Sequence, residues 1–180
     1  MNNIKECAEF YQTLLNRNYR FTLEDDLRFV LFFQKQNFFH LLGLEKLKDL
    51  AAFSAYGPSV VFEKILAEEI TQTDLLKSVF YPKIESRIRY FQELQNMLDP
   101  KQCKVIVDFD KRLVDKTELK NTKYILYVRR DENYVLFTIG QFKLKLYAET
   151  FFLEPSKKYV SGQTLLEVKQ IEVFEKRMHT

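Results

Sequence analysis

The spacing of apolar residues changes about halfway along the chain. Near the start, apolar side chains recur every three or four residues, which predicts an amphipathic helix over residues 3–17. After Pro100, apolar and polar residues alternate, as in strands with one buried face. The alternating runs include Val105 to Phe109, Tyr124 to Val128, Val135 to Ile139, Phe142 to Leu146 and Leu166 to Phe174. We therefore predict a helical part over about residues 1–100 and an antiparallel sheet part over about residues 101–178.

A hairpin signal interrupts the helical half. Tyr19, Phe21 and Leu23 alternate with polar residues, and a run of β-forming residues follows Asp25-Asp26. The predicted fold class is α+β, with N-terminal helices and an early β-hairpin packed on a C-terminal antiparallel sheet of about four to five strands. A length of 180 residues without internal repeats or a low-complexity linker favours a single domain over residues 1–180.

Two helices carry the polar residues of most interest. We predict that Asn37 caps the first, which continues to about Ala52 either unbroken or with a break or bend at Gly43. We predict that Pro82 opens the second, which continues to about Leu98 before Asp99-Pro100.

His40 stands in the most apolar region of the sequence and is one of only two histidines. Gly43, Leu44 and Leu47 follow it by three, four and seven residues, so a continuous helix would turn His40 toward the core. Two interpretations stay open. His40 is either a core histidine bonded to a backbone carbonyl, or a residue of a functional site.

Arg87 interrupts an apolar stripe in a similar way. It lies three residues after Ile84 and four before Phe91, on the face predicted to be buried. The guanidinium is either a snorkelling or ion-paired group, or it projects into a cleft that receives a phosphate. A histidine and an arginine on buried faces of one small protein suggest a polar pocket for an anionic ester, because histidine transfers protons and arginine stabilises phosphoryl charge.

Composition and motif content limit the classes of protein to which this chain can belong. The net charge of +3 permits an anionic partner without requiring one. Cys7 and Cys103 read as free thiols in a reducing compartment, and no apolar run reaches the roughly 18 residues of a membrane span, so we predict a cytoplasmic protein. With no glycine-rich phosphate loop, no Gly-x-Ser-x-Gly motif and one central histidine, we predict neither a cofactor nor a metal site.

The segment from Asn37 to Leu47, NFFHLLGLEKL, resembles the signature of a phage-associated nuclease-like family. That family is grouped with the barnase, EndoU, colicin and RelE-type ribonucleases. The resemblance continues in the segments KIESRIRYF, YAETFF and YVSGQ, and so spans about residues 19–173. It implies helices packed on a four-stranded antiparallel sheet, and metal-independent RNA cleavage. The implied site residues are His40, Lys46, Arg87, Thr150, Tyr159 and Gln163.

Two positions depart from the family pattern, in which a histidine often stands where this chain has Glu45 and a serine where it has Thr150. The nucleophile would be the 2′-hydroxyl of RNA itself. The resemblance then suggests His40 as acid or base, with Tyr159 or Glu45 as its counterpart. Lys46 and Arg87 would hold the phosphate, which Thr150 and Gln163 would orient.

Two alternatives to an RNA-cleaving enzyme stay open. One is a non-catalytic phage or mobile-element protein that binds a host protein or RNA through an aromatic surface. The other is a toxin that a partner antitoxin neutralises. An enzyme requires a concave pocket where His40 and Arg87 meet near Thr150 or Tyr159, whereas a docking protein requires a flat apolar patch.

Overall fold

A computed structural model of the protein describes residues 3–175, so His179 and the end of the predicted sheet part lie outside it. Helices α1 to α7 span Ile4–Leu14, Lys35–Leu42, Ala51–Ala55, Pro58–Leu66, Gln72–Leu76, Glu85–Tyr90 and Glu93–Met97. Strands β1 to β7 span Arg17–Leu23, Arg28–Phe32, Lys104–Val107, Thr122–Arg130, Asn133–Phe142, Lys145–Glu154 and Leu165–Glu175. Short 3₁₀ helices occupy Leu44–Lys46, Tyr81–Lys83 and Lys111–Leu113.

The strands form one antiparallel sheet in the order β2-β1-β7-β3-β4-β5-β6. The predicted α+β class is confirmed. Five strands come from the second half of the chain, within the predicted number, but the early hairpin joins the same sheet and raises the total to seven. The long strand β7 causes this, because its first residues pair with β3 and the rest pair with β1.

The sheet curls until its two edge strands, β2 and β6, contact each other. Phe29 of β2 stacks on Phe21 of β1 and, across the curl, on Tyr124 of β4, with ring centroids 4.8 and 4.4 Å apart. Helices α1, α2, α4 and α6 pack over the concave apolar core that results. The opposite face of β3, β4 and β5 carries a smaller apolar cluster that includes Ile125, Tyr127 and Tyr134.

Helix α2 is shorter than predicted. Gln34 is its N-cap, and Asn37 stands at the third helical position, where its side-chain oxygen accepts a hydrogen bond from the Gln34 N–H at 3.0 Å. The helix ends at Leu42 because Gly43 adopts a left-handed conformation with φ of 73°. The predicted cap at Asn37 and a continuous helix to about Ala52 are therefore wrong, and the alternative of a break at Gly43 is confirmed.

The predicted helix from Pro82 to Leu98 is divided into the 3₁₀ helix Tyr81–Lys83 and helices α6 and α7. Short-range hydrogen bonds from Phe91 to Ile88 and from Leu94 to Phe91 tighten the backbone between the two helices. The apolar stripe survives this division, since these three side chains remain buried.

Candidate functional site

A cleft of about 450 Å³ opens where the helical layer meets the β6 edge of the sheet. The 3₁₀ helix after Gly43 and helix α6 provide one wall, and strand β6 provides the other. Segment 116–119 and the loop that carries Tyr159 close the end of the cleft. The cationic side chains in it are Lys46, Arg87 and Lys116, and the acidic ones are Glu45, Glu118 and Glu149.

Arg87 forms the floor of this cleft and is only 8% exposed. Its Nη1 donates to the carbonyl of Leu41 at 3.2 Å and to Thr150 Oγ1 at 3.1 Å, and lies 3.4 Å from the carbonyl oxygen of His40. Both carbonyls belong to the last turn of helix α2. The His40 carbonyl also accepts from the Gly43 N–H, so the arginine adds a donor there and supplies one to the Leu41 carbonyl. Burial lowers the pKa of Arg87, an effect that Glu45 and Glu118 oppose.

The other guanidinium nitrogens of Arg87 remain available to a ligand. Within residues 3–175, Nε and Nη2 donate no hydrogen bond, and no buried side-chain nitrogen or oxygen lacks a partner, so neither atom is fully buried. A guanidinium edge presented in this way matches two oxygens of a phosphate.

Lys46 shares the cleft with Arg87, although both carry positive charge. Burial lowers the pKa of Lys46, and the nearby charge of Arg87 lowers it further, while Glu45 and Glu118 act in the opposite direction. Two cations held close together against burial and mutual repulsion are more typical of an anion-binding site than of a stabilising surface pair.

Glu149 also lies in the cleft, a position that the sequence analysis missed. It is the extra residue of a β-bulge, because Thr138 pairs with Thr150 whereas Ile139 pairs with Ala148. Its Oε2 accepts a hydrogen bond from Thr138 Oγ1 at 3.1 Å and another from Thr122 Oγ1. The bulge therefore aims a carboxylate, oriented by two hydroxyl groups, toward the cleft.

A sequence signal for this bulge exists. Along β6 the apolar positions change from even-numbered Leu146 and Ala148 to odd-numbered Phe151 and Leu153, so the alternation shifts its phase near Glu149. A phase shift within one strand indicates one extra residue.

His40 lies at the rim of the cleft rather than in the core. Its side chain is 53% exposed, and its Nδ1 lies 3.8 Å from Glu45 Oε2. The prediction that His40 points into the core is wrong, because α2 ends at Leu42 and the residues after Gly43 do not continue its helical face. The interpretation of His40 as a buried core histidine is therefore wrong as well. His40 meets Arg87 through its backbone carbonyl alone.

Thr150 and Tyr159 line the cleft together with Lys46 and Arg87. The Tyr159 ring packs edge-on against Phe152 and beside Phe109, which holds the phenol in place. Gln163 lies elsewhere, because its side-chain amide donates to the Asp110 carbonyl and accepts from the Asp110 N–H, both at 2.9 Å. The structure thus brings together four of the six implied residues, places His40 at the rim and separates Gln163.

No group of three histidine, cysteine, aspartate or glutamate side chains in residues 3–175 is arranged to hold a metal ion. No helix in that range has the length and apolar character needed to cross a membrane. Cys7 and Cys103 are both buried and unpaired with each other.

The fold and the site define an α+β protein with a polar cleft at a sheet edge, where three cations and three carboxylates lie together. The comparison with protein families is more specific, since residues 3–177 match the family described as phage-Barnase-EndoU-ColicinE5/D-RelE like nuclease4. The match covers nearly the whole chain, and the protein belongs to this nuclease-like family. No curated protein and no solved structure matches the chain significantly.

Proposed function

We propose that the protein is a metal-independent endoribonuclease, or toxin-like ribonuclease, of phage or mobile-element origin. The observation that carries this proposal is the shared cleft of Lys46 and Arg87, two cations beside oriented polar groups of the sheet. Membership of a nuclease-like family supports the same class of reaction. RNA is the proposed substrate because it contains its own nucleophile and so needs only proton transfer and charge stabilisation.

In the proposed reaction, the 2′-oxygen forms a bond to the adjacent phosphorus while the bond from phosphorus to the 5′-oxygen breaks. Lys46 and the free edge of Arg87 stabilise the charge on the phosphorane oxygens. Tyr159 donates a hydrogen bond to the phosphate. Thr150 orients the guanidinium, whose Nη1 lies 3.1 Å from its hydroxyl.

Proton transfer requires one group on each side of the phosphorus. We assign the base to Glu149, because two hydroxyl groups hold its carboxylate in the cleft. We assign the acid to His40, whose exposed ring beside Glu45 can turn toward a bound substrate. Catalytic hydrogen bonds are often long before substrate binds, so a position at the rim suits this role.

The test is cleavage of single-stranded RNA by the purified protein in the presence of EDTA. We expect products with 2′,3′-cyclic phosphate ends, and a fall in kcat of about 10²- to 10⁴-fold for His40→Ala and for Glu149→Gln. His179→Ala is the matched control, as it removes the other histidine. Full activity of His40→Ala, or loss of cleavage with EDTA, contradicts the mechanism.

A non-catalytic role is the second candidate, and the exposed His40 beside Glu45, where the family pattern often has a second histidine, favours it. RNA binding without cleavage in the same assay would support that role, as would capture of a host protein. If the protein is a toxin, its expression should arrest cell growth and His40→Ala should relieve that arrest. The next step would be a search for an antitoxin that binds the protein.

A further inference from the structure

A second cleft, of about 540 Å³, lies on the face of β4 and β5 that is turned away from the helices. Four cationic side chains line it, namely Lys104, Arg129, Arg130 and Lys157, and its lining contains no carboxylate. The first cleft, in contrast, has three cations and three carboxylates. The second cleft therefore has a positive field that its own lining does not neutralise.

Two of these cations are already paired. Lys104 contacts Glu167, and Arg130 Nε lies 2.7 Å from Glu93 Oε2. Arg129 and Lys157 form no ion pair within residues 3–175, and both side chains are exposed. The free charge of the second cleft thus belongs to Arg129 and Lys157.

Hydrogen-bonding groups accompany this charge. Tyr127 and Tyr134 pack against each other with ring centroids 5.9 Å apart, and Arg129 lies over the Tyr134 ring at 5.8 Å. Neither tyrosine hydroxyl is bonded within the described part of the chain, where no buried polar side-chain atom lacks a partner, so both hydroxyls reach solvent in the cleft. Since both rings are buried, the tyrosines offer their hydroxyls rather than stacking surfaces, and hydroxyls beside cations are groups that contact phosphate oxygens.

The two clefts share a wall. Lys157 and Val160 line the second cleft, whereas Tyr159, between them in sequence, lines the first. Lys158 bridges the two positions, since its Nζ donates to the Lys116 carbonyl at 3.3 Å and lies 5.3 Å from the centre of the Tyr159 ring. The loop over residues 157–160 therefore contributes to both clefts and carries two lysines, Lys157 and Lys158.

We infer that the second cleft binds the phosphodiester backbone of single-stranded RNA next to the bond held in the first cleft. This inference rests on the proposed function. An RNA strand fits the arrangement better than an acidic protein segment, because its evenly spaced phosphates can occupy both clefts and the loop between them at once.

The experiment compares the double variant Arg129→Gln/Lys157→Gln with Arg28→Gln/Lys169→Gln, an equal loss of charge on strands β2 and β7. The ligand is a fluorescent 12-nucleotide RNA carrying 2′-O-methyl groups, which binds without cleavage, and the readout is Kd by anisotropy at several salt concentrations. We expect roughly tenfold weaker binding for the first variant and a salt slope smaller by about 1.4, or 0.7 for each lost phosphate contact. The control should bind like the unmodified protein.

A dinucleotide substrate separates this inference from the proposed function, because it reaches the first cleft only. Cleavage of the dinucleotide should be unchanged in Arg129→Gln/Lys157→Gln, while kcat/KM for a 12-nucleotide cleavable RNA falls roughly tenfold. If Arg129→Gln/Lys157→Gln binds RNA more weakly than the control variant but the protein cleaves no RNA, the second cleft is supported and the proposed ribonuclease activity is overturned. Equal Kd values for both double variants, absence of RNA binding, or weakened binding of a poly-glutamate peptide alone would overturn the second cleft.

Discussion

Arg87 has two roles that use different atoms of one guanidinium. Nη1 bonds the end of helix α2 and the hydroxyl of Thr150, whereas Nε and Nη2 donate no hydrogen bond within residues 3–175 and are left for the proposed contact with phosphate. A buried arginine is costly unless its donors are satisfied. The bonds to α2 offset that cost and hold the charge in one place, which is the preorganisation that the proposed phosphate recognition requires.

The charge of Lys46 also costs free energy in the folded protein, and the fold does not offset this cost as it does for Arg87. Its pKa is lower in the folded protein than the ordinary 10.5, chiefly through burial, so folding disfavours its charged form. Between the folded pKa and 10.5 the unfolded chain binds more protons, and the contribution of Lys46 to stability therefore rises with pH across that window.

We expect Lys46→Met to raise the free energy of unfolding by about 0.5–1 kcal/mol at neutral pH while RNA binding weakens. The gain should shrink as pH approaches 10.5, because the lysine of the unmodified protein then loses its charge in both states. Urea unfolding at a series of pH values measures it. Lys48→Met, at an exposed neighbouring position, is the control, and a lower stability of Lys46→Met would contradict the interpretation.

At the scale of elements, the end of α2 determines the site. Gly43 stops the helix in a left-handed conformation, sends the chain into the 3₁₀ helix that carries Lys46, and lies against the Arg87 guanidinium. A Cβ atom added at Gly43 would lie 3.2 Å from Arg87 Cζ. One glycine therefore sets both the position of a cation and the room for its neighbour.

Gly43→Ala should lower the free energy of unfolding by about 1–2 kcal/mol, the cost of a left-handed conformation for an L-residue with a side chain. RNA cleavage should fall as well, because the added methyl group displaces the guanidinium. Thermal unfolding and the RNA assay measure the two effects. Gly57→Ala is matched to it, since a Cβ there has no heavy atom within 4 Å, and equal effects of both changes would argue against this role of Gly43.

At the scale of the whole molecule, the curled sheet connects the two halves of the chain. The early hairpin pairs with β7, and Phe29 stacks across the curl on Tyr124. We therefore propose, as the sequence predicted, that residues 1–180 form a single domain.

Phe29→Ala tests this at the point where the halves meet. We expect the free energy of unfolding to fall by about 3–5 kcal/mol. The far-ultraviolet circular dichroism and the tyrosine signal in the near ultraviolet should change at the same urea concentration. Phe142→Ala, at a side chain that is 67% exposed, should change stability by less than about 0.5 kcal/mol. Separate transitions for the two signals would mean that the hairpin folds apart from the rest.

The sequence by itself determined the α+β class, the buried stripe that contains Arg87, and the family. Each of these depends on local spacing or on residue identity, which the chain carries before it folds. Tertiary structure alone decided that β7 pairs with β1, that His40 faces solvent, and that Gln163 bonds Asp110 instead of entering the cleft. Strand pairing and cleft formation depend on contacts between residues far apart in sequence, and periodicity does not encode those contacts.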